Sequence, residues 1–375
     1  MERKAKTADS AANDNTGNAQ NSAARNLVAA FLADFLADRQ FVFLALTNLL
    51  GFMLAVALAG ADFIGAYNLQ SMAAQLPELG LLALGVMLAM VSGNGGIDLS
   101  GIALANLSGV LAGLAASHFI SADDAPLLYT GSFIALALLA GGIGGMLNGV
   151  LIAWGHLTPI LATLGTQMFF TGIAVVLTNG SALRLGYIEP LDAFGNSTLA
   201  GLPICFIVFL AVAAALALML KRTPFGIRLY LLGSNAKAAS YAGIPVRRML
   251  FLTYTLCGLL AGLAGAIIAA RTSSVKWDYG SSYVMISILI VVAAGVRPEG
   301  GYGRLVCVLL SATALQLLAS MFNFLDVSSF FRDCAWGTML LIFLVVSRID
   351  YRTLFRSRSS GSSGSASLPR ASRTV

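Results

Sequence analysis

The chain has 375 residues, of which 58% are hydrophobic and only 11% are charged, and its net charge at pH 7 is +6. Because soluble domains carry about 25% charged residues, this composition excludes a soluble globular protein. No Lys or Arg lies between Gln40 and Leu183, so we expect an all-α, polytopic transmembrane helical bundle.

The chain begins with a polar segment rich in Asn, Ala and Ser over residues 1–26. This segment has no apolar core of the kind that a secretory signal needs, and we predict a disordered cytoplasmic leader. Apolar residues then recur at helical spacing over residues 27–39, which predicts an amphipathic helix lying on the membrane surface. At the other end, the low-complexity residues 348–375 predict a flexible cytoplasmic tail.

Between these ends lie ten apolar runs near the length of about 20 residues that a bilayer requires. Together they predict a transmembrane domain over residues 41–347. The eighth run is short, and a broken or re-entrant segment is an alternative there. The runs are 41–60, 73–92, 98–119, 127–149, 158–178, 204–220, 249–270, 284–296, 305–322 and 333–347.

The basic residues predict the orientation of these spans. Ten spans with both termini in the cytoplasm place most bases on the cytoplasmic side, as the positive-inside rule requires. Only Arg184, Arg271, Lys276 and Arg332 then lie outside. We therefore predict that both termini are cytoplasmic.

Small residues on two spans predict close helix packing. Gly141, Gly145 and Gly149 share one helical face, and Gly258 and Gly262 share another. The four cysteines are scattered and form no CxxC pair, so we expect no metal site.

The sequence offers no energy source of its own. No ionisable residue lies clearly at the middle of a span, although ion-driven carriers usually need such residues. There is also no G-x-x-x-x-G-K-[ST] phosphate loop. We therefore expect the chain not to be an enzyme, to bind no cofactor and to draw energy from elsewhere or to use none.

The most informative polar segment covers residues 221–248, which contain six bases and no acid. Within it, Asn235 is a good helix N-cap, residues 236–242 are mostly helix formers, and Gly243 suits the end of the helix. So short a helix is not stable alone. The segment is either a surface loop with one helical turn or a lever that presses into a groove of another protein.

Four motifs in order resemble those of ABC importer permeases of the ribose/xylose/galactoside class. The segment GSNAKAASYAGIPVRR (residues 233–248) is similar to their cytoplasmic loop. The other three are GGIDLS (95–100), TPILATLGTQMFFTGIAVVLTNG (158–180) and YTLCGLLAGLAGAIIAAR (254–271). The resemblance covers residues 70–347.

The resemblance implies a bacterial inner-membrane permease and a set of protein partners. These are a second copy or a homologous permease, a cytoplasmic ATPase that binds the ATP, and a periplasmic binding protein. No nucleic-acid partner is expected. The residues implied to form the ATPase-coupling loop are Gly233, Asn235, Ala238, Ala239 and Gly243. Ala238 and Ala239 would allow close approach to the ATPase groove, and Gly243 would end the helix.

The GGIDLS motif predicts a sharp break between the second and third spans on the cytoplasmic side. Gly93, Gly95 and Gly96 permit the break, and Asp98 is a candidate cap for the third helix. A gate or a dimer contact that includes Ser100 is the alternative.

Four polar residues are candidates for the substrate path: Gln75, Glu78, Asn106 and Asn148. Gln75 and Glu78 lie near the predicted outer mouth. Each of the four could instead be a hydrogen-bond partner between helices.

We expect the permease subunit of an ATP-driven importer for a monosaccharide or a similar small polyol. The alternative is a passive channel or facilitator for small polar solutes, and a third interpretation is a structural scaffold. One departure from the family pattern prevents a choice of sugar. Before the eighth span the chain reads YVMISIL (283–289), without the two carboxylates of the Y-E-L-D sequence found in many relatives.

Overall fold

The structure is a computed structural model, and it describes residues 39–348. Within these residues there are thirteen α-helices, one 3-10 helix (Gly60–Ile64) and four two-residue strands. The helices are α1 (Arg39–Ala59), α2 (Ala66–Val91), α3 (Gly101–Phe119), α4 (Pro126–Ala153), α5 (Pro159–Thr178), α6 (Glu189–Asn196), α7 (Ile204–Arg222), α8 (Pro224–Ser234), α9 (Ala236–Tyr241), α10 (Val246–Thr272), α11 (Tyr283–Ala293), α12 (Leu305–Phe324) and α13 (Ser329–Arg348).

Eight of the described helices are long and apolar enough to cross a membrane, and they confirm the predicted polytopic bundle. They are α1, α2, α3, α4, α5, α7, α10 and α12. The tenth predicted run is also helical, as α13. The count of ten spans and the cytoplasmic termini stay predictions. The predicted leader, surface helix and tail lie outside the described residues, except for their boundary residues Arg39 and Arg348.

The eighth predicted run is a broken segment. Its helix, α11, has only 11 residues, and a glycine-rich loop over residues 294–304 follows. Gly295 lies in the left-handed region (φ +76°), and Pro298 cannot continue a helix. The segment still runs alongside α2. At its start the hydroxyl of Tyr283 donates to Glu78, and near its end the amide of Gly301 donates to the carbonyl of Val91 at 3.1 Å.

The centre of the bundle is formed by α2 and α10. In their most apolar 18-residue windows 83% and 78% of residues are buried, compared with 11% in α1. Glycines bring α4 and α10 into backbone contact, as predicted: a Cβ added at Gly145 would lie 2.8 Å from the Cα of Gly258. Such close approach stabilises helix pairs in lipid, where the hydrophobic effect does not drive association.

Short strands and one short helix cover one end of the bundle. Strand β1 (Leu183–Arg184) pairs antiparallel with β4 (Ser274–Val275). Strands β2 (Thr198–Leu199) and β3 (Leu202–Pro203) form a hairpin. The predicted orientation makes this the outer end.

Candidate functional site

The predicted coupling loop contains a short helix with defined ends. The side-chain oxygen of Asn235 accepts a hydrogen bond from the amide of Ala238 at 3.0 Å, which is the predicted N-cap. At the other end Gly243 has φ +77°. The amides of Gly243 and Ile244 donate to the carbonyls of Ser240 and Ala239, both at 3.0 Å. This pattern is the Schellman motif, so Gly243 ends the helix as predicted.

The exposed face of α9 differs from the predicted one. Tyr241 is 93% exposed and Ala238 is exposed, whereas only 4% of Ala239 is accessible. Of the two alanines only Ala238 is open to a partner in this structure, and their predicted approach to the ATPase stays a prediction. A helix of six residues needs a side chain that packs on its own bundle, and Ala239 provides it.

A groove of about 390 Å³ lies beside α9 and the turn that follows α4. Its polar lining comes from Asn94, His156, Lys237, Ser240 and Arg247, and no acidic residue lines it. Its charge therefore complements an acidic protein surface.

Three chain segments meet at glycines behind α9. A Cβ added at Gly93 would lie 2.9 Å from the Cα of Gly233, and one added at Gly233 would overlap the backbone of Val91 and Gly301. We call Gly93, Gly233, Gly300 and Gly301 the glycine junction. It joins the end of α2, the end of α8 and the loop 294–304. The sequence named Gly233 for the coupling loop but did not indicate these contacts.

A tyrosine hydroxyl strengthens the glycine junction. The hydroxyl of Tyr230 on α8 donates to the carbonyl of Gly303 at 2.7 Å. Burial raises the pKa of Tyr230, so the phenol stays protonated and keeps donating.

The GGIDLS motif breaks the chain between α2 and α3. Gly95 has φ +65°, and residues 97–100 belong to no helix or strand before α3 begins at Gly101. The hydrogen bonds of Asp98 differ from the predicted helix cap. Its Oδ1 accepts from the amide of Ser100 at 2.9 Å and from its hydroxyl at 2.7 Å. Because Asp98 lies two residues before the N-cap position of α3, this local Asx-type turn replaces a bond to the first helical turn.

A buried chain of hydrogen bonds continues from Ser100. The Ser100 hydroxyl accepts from Asn148 Nδ2 at 2.8 Å, and Asn148 Oδ1 accepts from the hydroxyl of Thr166 at 2.6 Å. Asn148 is fully buried. It therefore connects α4, α5 and the segment before α3, and it lines no open path in this structure.

A second polar cluster surrounds Glu78, which is only 1% exposed. Its carboxylate is paired with Arg271 and accepts hydrogen bonds from the hydroxyls of Tyr279 and Tyr283, both at 3.3 Å. Burial and the charge of Glu78 raise the pKa of Tyr279 to about 12, so its phenol remains a donor. The sequence did not predict the pairing with Arg271.

Asn106 supports the same cluster from α3. Its Nδ2 donates to the carbonyl of Trp277 at 3.1 Å and to that of Tyr279 at 2.9 Å. Asn106 therefore holds the loop that presents Tyr279 to Glu78. Gln75 lies on α2 one helical turn from Glu78, and it lines a cavity beside this cluster.

All of the sites described above lie within the part of the chain that matches a family of transport proteins. Residues 68–347 match the family described as "Branched-chain amino acid transport system / permease component". The chain belongs to this permease family. This permease is a multi-pass inner-membrane component of an ABC importer, as the motifs indicated.

Several relatives of this permease are import permeases. It is 35% identical to the "Ribose import permease protein RbsC" of Bacillus subtilis, over 79% of this chain and 89% of the relative. It is 32% identical to RbsC of Escherichia coli K12, over 80% and 92%. It is 31% identical to the "Autoinducer 2 import system permease protein LsrD" of Photorhabdus luminescens, over 71% and 79%. No solved structure matches it.

Proposed function

We propose that this permease carries a monosaccharide or a similar small polyol inward, and that ATP hydrolysis in separate cytoplasmic subunits drives the transport. The observation that supports this most strongly is α9. It is short, capped at both ends and exposed on one face, and the glycine junction lies directly behind it. A force applied to α9 can pass through rigid backbone contacts into α2.

The surface around α9 also suggests which protein partners the permease has. An ATPase with an acidic groove complements the bases Lys237 and Arg247 beside α9. ATP binds to that subunit, and the permease itself holds no cofactor. A binding protein delivers the cargo at the opposite end, and a second copy or a homologous permease completes the path.

Three kinds of cargo are named in the comparisons: branched-chain amino acids in the family description, ribose for the RbsC relatives and autoinducer 2 for LsrD. An amino acid carries both an ammonium and a carboxylate group, and each needs an opposite charge when it is taken out of water. The buried charges beside the Gln75 cavity, Glu78 and Arg271, already pair with each other. The two charged residues that line the cavity, Arg332 and Asp333, are engaged with Asn323 and Ser282. Because these charges already have partners, a polyol is favoured.

The test uses the permease in proteoliposomes with its ATPase and binding protein. We expect D-ribose-loaded binding protein to stimulate ATP hydrolysis and labelled D-ribose to accumulate only when ATP is present. A variant of the ATPase that binds but does not hydrolyse ATP is the control. Equal D-ribose entry without ATP would contradict the proposal and favour the passive facilitator. Accumulation of L-leucine in place of D-ribose would contradict the cargo class.

A further inference from the structure

A cavity of about 220 Å³ lies beside the Glu78 cluster, where four helices meet. Each helix contributes two or more residues to its lining, and those able to form hydrogen bonds include Gln75 from α2, Tyr283 from α11, Gln316 from α12 and Trp336 from α13. Pockets for drug-sized ligands measure about 300–1,000 Å³. This cavity therefore suits a smaller molecule.

The buried amide of Gln316 is under-used. The residue is 5% exposed, yet its only hydrogen bond within the described part of the chain is a long one, from Nε2 to Gln75 Oε1 at 3.5 Å. Its Oε1 accepts no hydrogen bond from residues 39–348. This oxygen is not shut off from solvent, so it is open to a donor that enters the cavity. A polar occupant of the cavity would provide the missing partners.

Trp336 adds a second free group. It is 6% exposed, and its indole N–H donates to no partner within residues 39–348. The indole thus offers a donor at its edge and an apolar ring face. A pyranose or furanose ring has the matching pattern, with hydroxyls at its edge and C–H groups on its face.

Two charged residues line the cavity, Arg332 and Asp333, and both side chains already form hydrogen bonds. Asp333 accepts a hydrogen bond from the hydroxyl of Ser282 at 2.8 Å, and Arg332 donates to the side chain of Asn323. The other ten residues that line the cavity are uncharged. A neutral ligand with several hydroxyls therefore fits better than an ion.

We propose that the cavity between Gln75, Tyr283, Gln316 and Trp336 is a cargo-contact site that binds the hydroxyl groups of a neutral monosaccharide. This inference rests on the proposed function and deepens it. Because the four residues come from four helices, any relative movement of these helices takes the site apart. Binding is thereby coupled to the movement that releases cargo inward.

The first experiment measures labelled D-ribose uptake by the reconstituted permease with its ATPase and binding protein. Gln316→Leu keeps a similar volume and removes the hydrogen bonds, so we expect the KM to rise about ten-fold with unchanged stimulation of ATP hydrolysis by the binding protein. Gln70→Leu is the matched control, since Gln70 lies on α2 outside the cavity and donates only to Gly201. An unchanged KM in Gln316→Leu would overturn the inference.

The second experiment does not depend on transport. The chain has three tryptophans, so the permease with Trp154→Phe and Trp277→Phe reports from Trp336 alone. We expect D-ribose to shift its fluorescence and Gln316→Leu to abolish the shift. A response to L-leucine but not to D-ribose would overturn the inference, as would no response to D-ribose. If uptake fails in the unmodified permease, the proposed function fails, and the Trp336 titration still decides the cavity site.

Discussion

Gly93 and Gly233, 140 positions apart in the chain, approach so closely that neither could carry a side chain. A Cβ at Gly93 would lie 2.9 Å from the Cα of Gly233. Gly93 lies two residues beyond the end of the central helix α2, and Gly233 lies two residues before the N-cap of α9. Helix α9 and the centre of the bundle are thus linked through backbone atoms, which can move less than side chains to relieve a close contact.

We expect Gly233→Ala to damage both stability and coupling. The new methyl group would overlap the backbone of Val91 and Gly301, and overpacking of this kind costs about 1–3 kcal/mol. The thermal midpoint of the purified permease should fall, and stimulation of the ATPase should be lost. Gly165→Ala is the control, because nothing lies within 4 Å of a Cβ there. Equal midpoints for the two variants would contradict this role of the glycine junction.

Gly243→Val should separate ATP hydrolysis from transport while the permease still folds. A Cβ at Gly243 meets no atom within 4 Å, so the substitution acts only through the left-handed backbone, at a cost of about 1–2 kcal/mol. The end of α9 would loosen, and we expect ATP hydrolysis without matching D-ribose uptake.

The control for Gly243 lies at the opposite end of the bundle. Gly186 has φ +78° and equally open surroundings, so Gly186→Val introduces the same strain away from α9. Uptake per ATP should be normal in this variant. If Gly243→Val also transports normally, α9 does not act as the lever.

The sequence predicted features that depend on neighbouring residues. Asn235 and Gly243 lie within one short segment, and capping rules alone define its ends. The short eighth run likewise offered a broken segment as an alternative, because the 13 residues of 284–296 cannot fill a span of about 20, and the helix there has 11 residues. Both features are local in the chain.

The sequence could not predict contacts between distant segments. The inward direction of Ala239 depends on where α9 docks, and the junction of Gly93 with Gly233 depends on three loops that meet only in the fold. The place of Gln316 beside the cavity was missed although a signal existed. It is a polar residue within an apolar run, and such residues often mark function in membranes. Counting basic residues predicted that Arg271 lies on the outer side of the membrane. Such a count cannot show that its guanidinium pairs with Glu78.

We expect Glu78→Gln to destabilise the permease more than the double variant with Arg271→Gln. The single substitution leaves the mostly buried guanidinium of Arg271 without its carboxylate, and an unpaired charge costs more than a pair of neutral amides. Thermal midpoints of the two single variants and the double variant form a double-mutant cycle. Additive changes would show that the pair contributes no coupling energy.

Thr166→Val should destabilise the permease more than Thr178→Val, although both remove a hydroxyl from α5. The Thr166 hydroxyl donates to buried Asn148 on α4 at 2.6 Å, whereas the Thr178 hydroxyl donates at 2.7 Å to Ala174 in its own helix. Removal of the Thr166 hydroxyl leaves Asn148 Oδ1 without a hydrogen-bond donor among the described residues. An unsatisfied buried acceptor lowers the free energy of unfolding by about 1–3 kcal/mol. Loss of the Thr178 bond costs little, because the carbonyl of Ala174 keeps its helical partner.

The comparison of these two threonines also tests the segment before α3. Asn148 donates to Ser100, which in turn donates to Asp98, so Thr166 stands at the end of a chain that holds the GGIDLS segment in place. If this chain acts as a unit, Thr166→Val and Ser100→Ala together should destabilise less than the sum of the two single changes. Thermal midpoints of the single and double variants measure this, and strict additivity would mean that Asn148 bonds each partner independently.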